Sequence, residues 1–374
     1  MNQQAPQQTK REERVEAILT VLLIFLIVVA IVLPIVALAR GEDELDVTTA
    51  TTEAPNKPAD RPVDPVPSNV VFAGGQVPKM PVVNAATATL SSELHSQYGV
   101  IVDVDNGVIL AGKGADDQIS PASMTKVMSL IVACEKLTEA ELTKKITYTD
   151  YYADYDYNGL AAPLKPTDRL NSRGDQFLIK DLLYGIGVES AADCVLMIAE
   201  YTYGTMDAFV AKMNEKAAAL GLTKTHFVDA SGDDYPENYT TPVEMAMIMA
   251  YAMQCSLIEQ ILSEDVYKYC GYYYDGSVEK SYNRTFYSTL FKVGNGSSRM
   301  DKYEELYGEA FALSTAKDFV GKTGYLDSPG ARSFLVCSAK GKTSGARYVA
   351  VVAETARFGY TMRDVKTLFD GYAK

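Results

Sequence analysis

At 374 residues and 47% hydrophobic side chains, the chain is long enough for one large domain or two ordinary ones with a proper core, which excludes a disordered polypeptide. A formal net charge of −13 argues against a basic face for nucleic acid. Five widely spaced cysteines without a Cys-x-x-Cys pair, and only His95 and His226, leave little material for a disulfide framework, a metal centre or a Ser–His–Asp triad, so neither metal nor cofactor is expected. Cys134 and Cys194 sit in apolar runs and read as small buried hydrophobes; a Cys255–Cys270 bridge is left open, with nothing in the sequence to support it.

The chain opens with residues 1–16, where Lys10, Arg11 and Arg14 precede an uncharged run from Ala17 to Ala39. As a helix rising about 1.5 Å per residue, such a run spans roughly the 30 Å of a bilayer core. The basic flank predicts a cytoplasmic N-terminus and an extracytoplasmic remainder. Residues 17–39 therefore read as a single-pass signal anchor in a bacterial cell membrane; cleavage after Ala37-Leu38-Ala39 is the alternative and makes the protein secreted. Residues 40–82, rich in Thr and Pro, carry too little apolar surface to offset ordering and read as a flexible spacer.

Residues 83–374 carry the periodic patterns of a folded domain. Tyr98–Val104 alternates like a strand, Asp105-Asn106-Gly107 is a hairpin turn, and Val108–Ala111 begins the return strand. Helical spacing follows at Ser123–Leu137, Ile179–Gly187, Ala191–Tyr203, Met206–Leu220 and Thr241–Met253. Strands fit Asp318–Tyr325, Ser333–Ala339 and Arg347–Ala353, and a last amphipathic helix fits Thr361–Tyr372. The order predicts an α+β fold, an antiparallel sheet flanked by helices. The Tyr-rich, polar segment Val266–Ala310 yields no clear elements.

Three short motifs can carry chemistry. Ser123 and Lys126, in Pro121-Ala122-Ser123-Met124-Thr125-Lys126, lie three apart and share one helix face. A neutral Lys126 there can take the proton of the Ser123 hydroxyl, and burial lowers a lysine pKa enough for that role. Lys322-Thr323-Gly324 reads as a strand that offers a cation and a hydroxyl to a carboxylate and a glycine to an approaching backbone. Ser190-Ala191-Ala192-Asp193 reads, by itself, as a helix N-cap. Each is weak alone: S-x-x-K is common by chance, with a capping serine and a solvated lysine as the ordinary explanation.

In this order the three motifs resemble the S-x-x-K, S-D-N and K-T-G signature of serine β-lactamases and penicillin-binding proteins. Within that superfamily the chain resembles the low-molecular-mass D-alanyl-D-alanine carboxypeptidases, the S11 serine peptidases. Ser120–Ser123, the leading hairpin Tyr98–Gly112, Phe209–Asn214, Leu220-Gly221, Thr225–Phe227, Gly321–Tyr325 and Phe334–Ala339 agree as well. The resemblance implies a β-lactamase/transpeptidase-like fold and an enzyme that trims the terminal D-Ala from peptidoglycan stem peptides and binds β-lactam antibiotics covalently. It implies Ser123 as nucleophile, Lys126 as general base and Ser190 as proton shuttle. Lys322 and Thr323 would bind substrate beside Gly324 and Tyr325, with the Ser123 and Tyr325 N–H groups as oxyanion hole.

The chain departs from the pattern at Ala192, where the family usually has Asn; loss of that amide implies slower acylation and a gain on restoring Asn. It also has Asp229-Ala230-Ser231-Gly232 in place of an Asn-Pro-type turn, and it ends about where a catalytic domain should close. Two other functions share the motifs. A serine β-lactamase would need a positioned base for deacylation, for which no Glu–Asn motif stands out. A catalytically impaired wall-binding pseudoenzyme has Ala192 as its only support.

Overall fold

The computed structural model describes residues 69–149, 152, 174–294, 296–327 and 330–374. The chain divides into Met1–Asp64 and Pro65–Lys374. The expected tail, the Ala17–Ala39 span and the spacer as far as Ser68 lie outside the described residues. Among the described residues no single helix is long and apolar enough to cross a membrane.

In chain order the described strands are β1 (Ala88–Thr89), β2 (Tyr98–Asp103), β3 (Val108–Lys113), β4 (Lys145–Thr147), β5 (Gln176–Leu178), β6 (Val266–Asp275), β7 (Val278–Tyr287), β8 (Ala316–Leu326), β9 (Arg332–Gly341) and β10 (Arg347–Thr355). The described α-helices are α1 (Lys126–Lys136), α2 (Ile179–Tyr184), α3 (Ala192–Tyr203), α4 (Met206–Ala219), α5 (Pro242–Ala252), α6 (Ser256–Ser263), α7 (Arg299–Tyr307) and α8 (Phe358–Tyr372). The main sheet runs β1-β3-β2-β10-β9-β8, antiparallel except for the β1–β3 pair, and leaves β8 at one edge. A smaller antiparallel sheet runs β4-β5-β6-β7.

Both faces of the main sheet are covered. Val100, Phe334, Val336, Val349 and Val351 share one core with α1, α3 and α5. Ile101, Leu335, Cys337, Ala350 and Val352 share the other with Met362, Val365, Leu368 and Phe369 of α8. Double coverage is why β9 and β10 are nearly continuous apolar runs rather than half-polar alternations. Every residue of α5 from Pro242 to Ala252 is buried, which is why the helix is apolar on nearly every side; its one charged residue, Glu244, accepts from the Lys224 N–H and the Thr225 hydroxyl. Its start follows from the sequence: Thr241 Oγ1 accepts from the Glu244 N–H at 3.1 Å and Pro242 fills the first helical position.

The expected α+β arrangement is present, with four differences. The helix expected from Ser123 begins as a tight 3-10 turn, Ala122–Thr125, before α1. The helix expected to Gly187 ends at Tyr184 and widens into a π-type turn, Gly185–Glu189. The segment from Val266 contains the β6–β7 hairpin and α7. Finally, Asn69–Val82, assigned to the spacer, packs on the domain: the Phe72 N–H donates to Cys134 O at 3.0 Å, the Val82 N–H donates to Gly107 O at 3.1 Å, and Phe72 is buried. The Cys255–Cys270 bridge is not formed. All five thiols are free; the neighbouring Cys134 thiol draws Cys255 below the usual thiol range, and Cys270 Sγ lies 3.0 Å from Asn283 Oδ1.

Candidate active site

The Ala122–Thr125 turn places Ser123 directly before α1, and Ala122 adopts a left-handed φ of 46°. A non-glycine residue there costs on the order of 1–3 kcal/mol and persists only where its surroundings fix it. Two glycines help to do so. A Cβ on Gly232 would lie 1.8 Å from Ala122 O, and one on Gly324 would lie 3.0 Å from Ala122 Cβ and 3.3 Å from the Ser123 nitrogen. Gly324 therefore admits the backbone of the nucleophile turn against β8, a closer approach than the one expected of a substrate.

Lys126 begins α1, one turn beyond Ser123, and is 1% exposed. Its Nζ lies 3.0 Å from Ser123 Oγ and donates to Ser231 O at 2.7 Å. That carbonyl stands on the Asp229–Asp233 loop. Asp229 Oδ1 accepts from the Ser231 and Gly232 N–H groups, both at 2.6 Å, and Oδ2 accepts from the Asp233 N–H and the Asn238 side chain. Ser129 of α1 adds a second tie, its Oγ donating to Ala230 O at 2.7 Å. The loop thus supplies Lys126 with an acceptor that Ala192, buried in the first turn of α3, cannot.

Ser190 is not the helix cap that its sequence suggests. Ala191 precedes α3 in the cap position, while Ser190 closes the Gly185–Glu189 turn at a left-handed φ of 65°. In this conformation its Oγ accepts from Lys322 Nζ at 2.8 Å. Lys322, fully buried on β8, also donates to Thr323 O at 3.0 Å, and the Thr323 and Thr289 hydroxyls are 2.6 Å apart. Tyr325 is 39% exposed, its ring edge-on to Phe358.

Burial dominates the electrostatics. It pulls Lys126 down to about 8 against the attraction of Asp229, Asp233 and Asp193. Lys322 is held well below the usual lysine range by burial, then by the positive charges of Lys126 and Arg299. Among the described residues neither lysine has a carboxylate within 4.0 Å. With a pKa of about 8, roughly a tenth of Lys126 is neutral at pH 7. The neutral amine can accept the Ser123 proton while the neighbouring cation favours negative charge close by.

The structure thus brings together Ser123 with Lys126, Ser190 with Lys322, and Gly324 with the nucleophile turn. Sequence reading missed the Asp229–Asp233 loop as the lysine's acceptor. It also missed Arg299, whose Nη2 donates to Gly324 O at 3.1 Å. Arg299 lies inside the polar Val266–Ala310 segment, where no motif marks it.

The peptidase S11 family, described as D-alanyl-D-alanine carboxypeptidase, matches residues 83–294. That match ends before β8. The D-alanyl-D-alanine carboxypeptidase DacF of Bacillus subtilis is 30% identical over 191 residues, covering 50% of this chain and 44% of the relative. A D-alanyl-D-alanine carboxypeptidase of Streptomyces sp. (strain K15) is 30% identical over 188 residues, 49% of this chain and 62% of the relative. The chain thus spans about half the length of these relatives. The solved Streptomyces K15 DD-transpeptidase aligns with a TM-score of 0.60 at 24% identity, over 74% of this chain and 96% of that one, and shares the α+β transpeptidase fold.

Proposed function

The chain belongs to the peptidase S11 family of D-alanyl-D-alanine carboxypeptidases, and from that premise we propose that it removes the terminal D-Ala from peptidoglycan stem peptides through an acyl-enzyme on Ser123. The observation that carries this reading is the buried Lys126 amine 3.0 Å from Ser123 Oγ. Neutral Lys126 takes the hydroxyl proton as Oγ attacks the carbonyl carbon of the penultimate D-Ala. The developing oxyanion sits between the Ser123 and Tyr325 N–H groups, which hold negative charge without reorganising. The C–N bond then breaks, and the departing amine takes a proton passed along Lys126 or the Ser190–Lys322 pair. Lys322 and Thr323 receive the terminal carboxylate. Water, deprotonated by the Lys126 amine that the transfer to the departing amine leaves neutral, attacks the ester carbon, and Lys126 returns the proton to Oγ as the ester bond breaks. A β-lactam follows the first half: its amide C–N bond opens and the acyl group remains on Ser123.

The same reading places the catalytic domain outside the cell, held by residues 17–39 in the membrane; the Lys10–Arg14 charges before an uncharged run support it. The test of the activity is D-Ala release from a pentapeptide ending in D-Ala-D-Ala, measured by chromatography with the purified full-length chain. Wild type should release D-Ala and Ser123→Ala should not. Penicillin hydrolysis with fast turnover and no D-Ala release would assign the site to a β-lactamase instead.

A further inference from the structure

Arg299 is 5% exposed and has no carboxylate within 4.0 Å among the described residues. Its Nε, also buried, has no hydrogen-bond partner. Burying a cation without a counter-ion is costly, so stability alone does not account for this side chain. Three contacts fix it in place. Its backbone N–H donates to Thr289 O at 3.0 Å, beside the hydroxyl contact between Thr289 and Thr323. Its guanidinium carbon lies 3.6 Å from the centroid of the Phe358 ring, at the start of α8. Its Nη2 donates to Gly324 O at 3.1 Å.

The last contact falls on one particular peptide unit. Gly324 C=O and Tyr325 N–H belong to the same planar trans amide and point in opposite directions. A donor fixed on the carbonyl side therefore fixes the direction of the N–H side. The guanidinium charge beside the oxygen also polarises the amide and strengthens its N–H as a donor. Nearby, Gly324 packs against the Ser123 nitrogen. We propose that Arg299, clamped against Phe358, is a positioning residue that orients and polarises the Gly324–Tyr325 peptide, so that the Tyr325 N–H completes the oxyanion hole. The inference rests on the acyl-enzyme reading above.

It is tested on the full-length chain with a carboxylate-free probe, phenylboronic acid, whose boron forms a bond to Ser123 Oγ and presents a negatively charged oxygen to the hole. Arg299→Met should weaken this affinity at least tenfold. It should slow the covalent step with penicillin by a similar factor, leave penicillin's non-covalent binding constant nearly unchanged, and shift the Tyr325 amide resonance. Arg299→Lys, which keeps a charged donor, should recover part of each loss. Phe358→Leu, which removes the clamp but not the donor, should show a smaller loss of the same kind, and carries the test if Arg299→Met does not fold. Unchanged boronate affinity in a folded variant would overturn the inference. So would a loss confined to penicillin's non-covalent binding, which would make Arg299 a carboxylate ligand. A wild type that forms no adduct on Ser123 would overturn the acyl-enzyme reading along with it, whereas normal wild-type acylation with no effect at Arg299 overturns this inference alone.

Discussion

A lysine that is 1% exposed pays for its charge, and Lys126 shows the consequence as a pKa of about 8 against an ordinary 10.5. Between about pH 8 and 10.5 the unfolded chain binds more protons at this residue than the folded one. Its contribution to stability therefore rises with pH through that window and is least favourable below pH 8. Activity moves the same way, because only the neutral amine accepts the Ser123 proton. The second-order rate of β-lactam acylation should climb roughly tenfold per pH unit below the midpoint and level off above about pH 8. A profile flat from pH 6 to 9 would remove Lys126 from the base role. Ala192 invites a second test. The missing Asn implied a slow enzyme improved by Ala192→Asn, but Ser231 O already accepts from Lys126 at 2.7 Å and Ala192 is fully buried. The larger side chain should now bring no gain in acylation rate and cost about 1–3 kcal/mol in thermal unfolding; a faster folded mutant would show that the loop is a poor substitute.

At the scale of elements, the site depends on a loop that grips a helix. Asp229 gathers three backbone N–H groups, and Gly232, at φ +87°, leaves no room for a Cβ beside Ala122 O. Gly232→Ala should therefore lower stability by about 2–4 kcal/mol and slow acylation more than tenfold, read from thermal unfolding and penicillin labelling. Unaltered labelling would mean that the nucleophile turn does not need the loop. Such detail was only partly legible in the sequence. The spacing of three between Ser123 and Lys126 survives because a tight turn running into a helix keeps both on one side. Ser190 was misread because serine before a helix ordinarily caps it, and nothing local announces a left-handed residue. The β6–β7 hairpin was hidden by Tyr272, Tyr273 and Tyr274 in succession, which erase the alternation that marks a strand. Arg299 acts through a contact 25 residues away in sequence, beyond the reach of any motif.

For the whole molecule, the sequence leads to the expectation of a membrane span and a spacer before the domain, and the structure moves the domain's beginning to Asn69 or earlier. Asn69–Val82 resembles spacer because Pro78 and Pro81 continue the proline-rich run before it, yet it carries Val70, Val71 and Phe72, and Phe72 reaches the main core. A non-specific protease added to intact cells should cut between Gly41 and Ser68 and release a fragment that retains Phe72, identified by its N-terminal sequence. A domain protected from external protease would reject export. The late strands and helices of the domain were the most legible part, because long buried runs and capped starts such as Thr241-Pro242 follow directly from composition.

All three scales meet in one covalent bond. The most direct test is to label the purified full-length chain with fluorescent penicillin and locate the adduct by mass spectrometry. A single adduct on Ser123, absent from a folded Ser123→Ala variant, is the predicted result. An adduct on any other residue, or none on the wild type, would contradict the account.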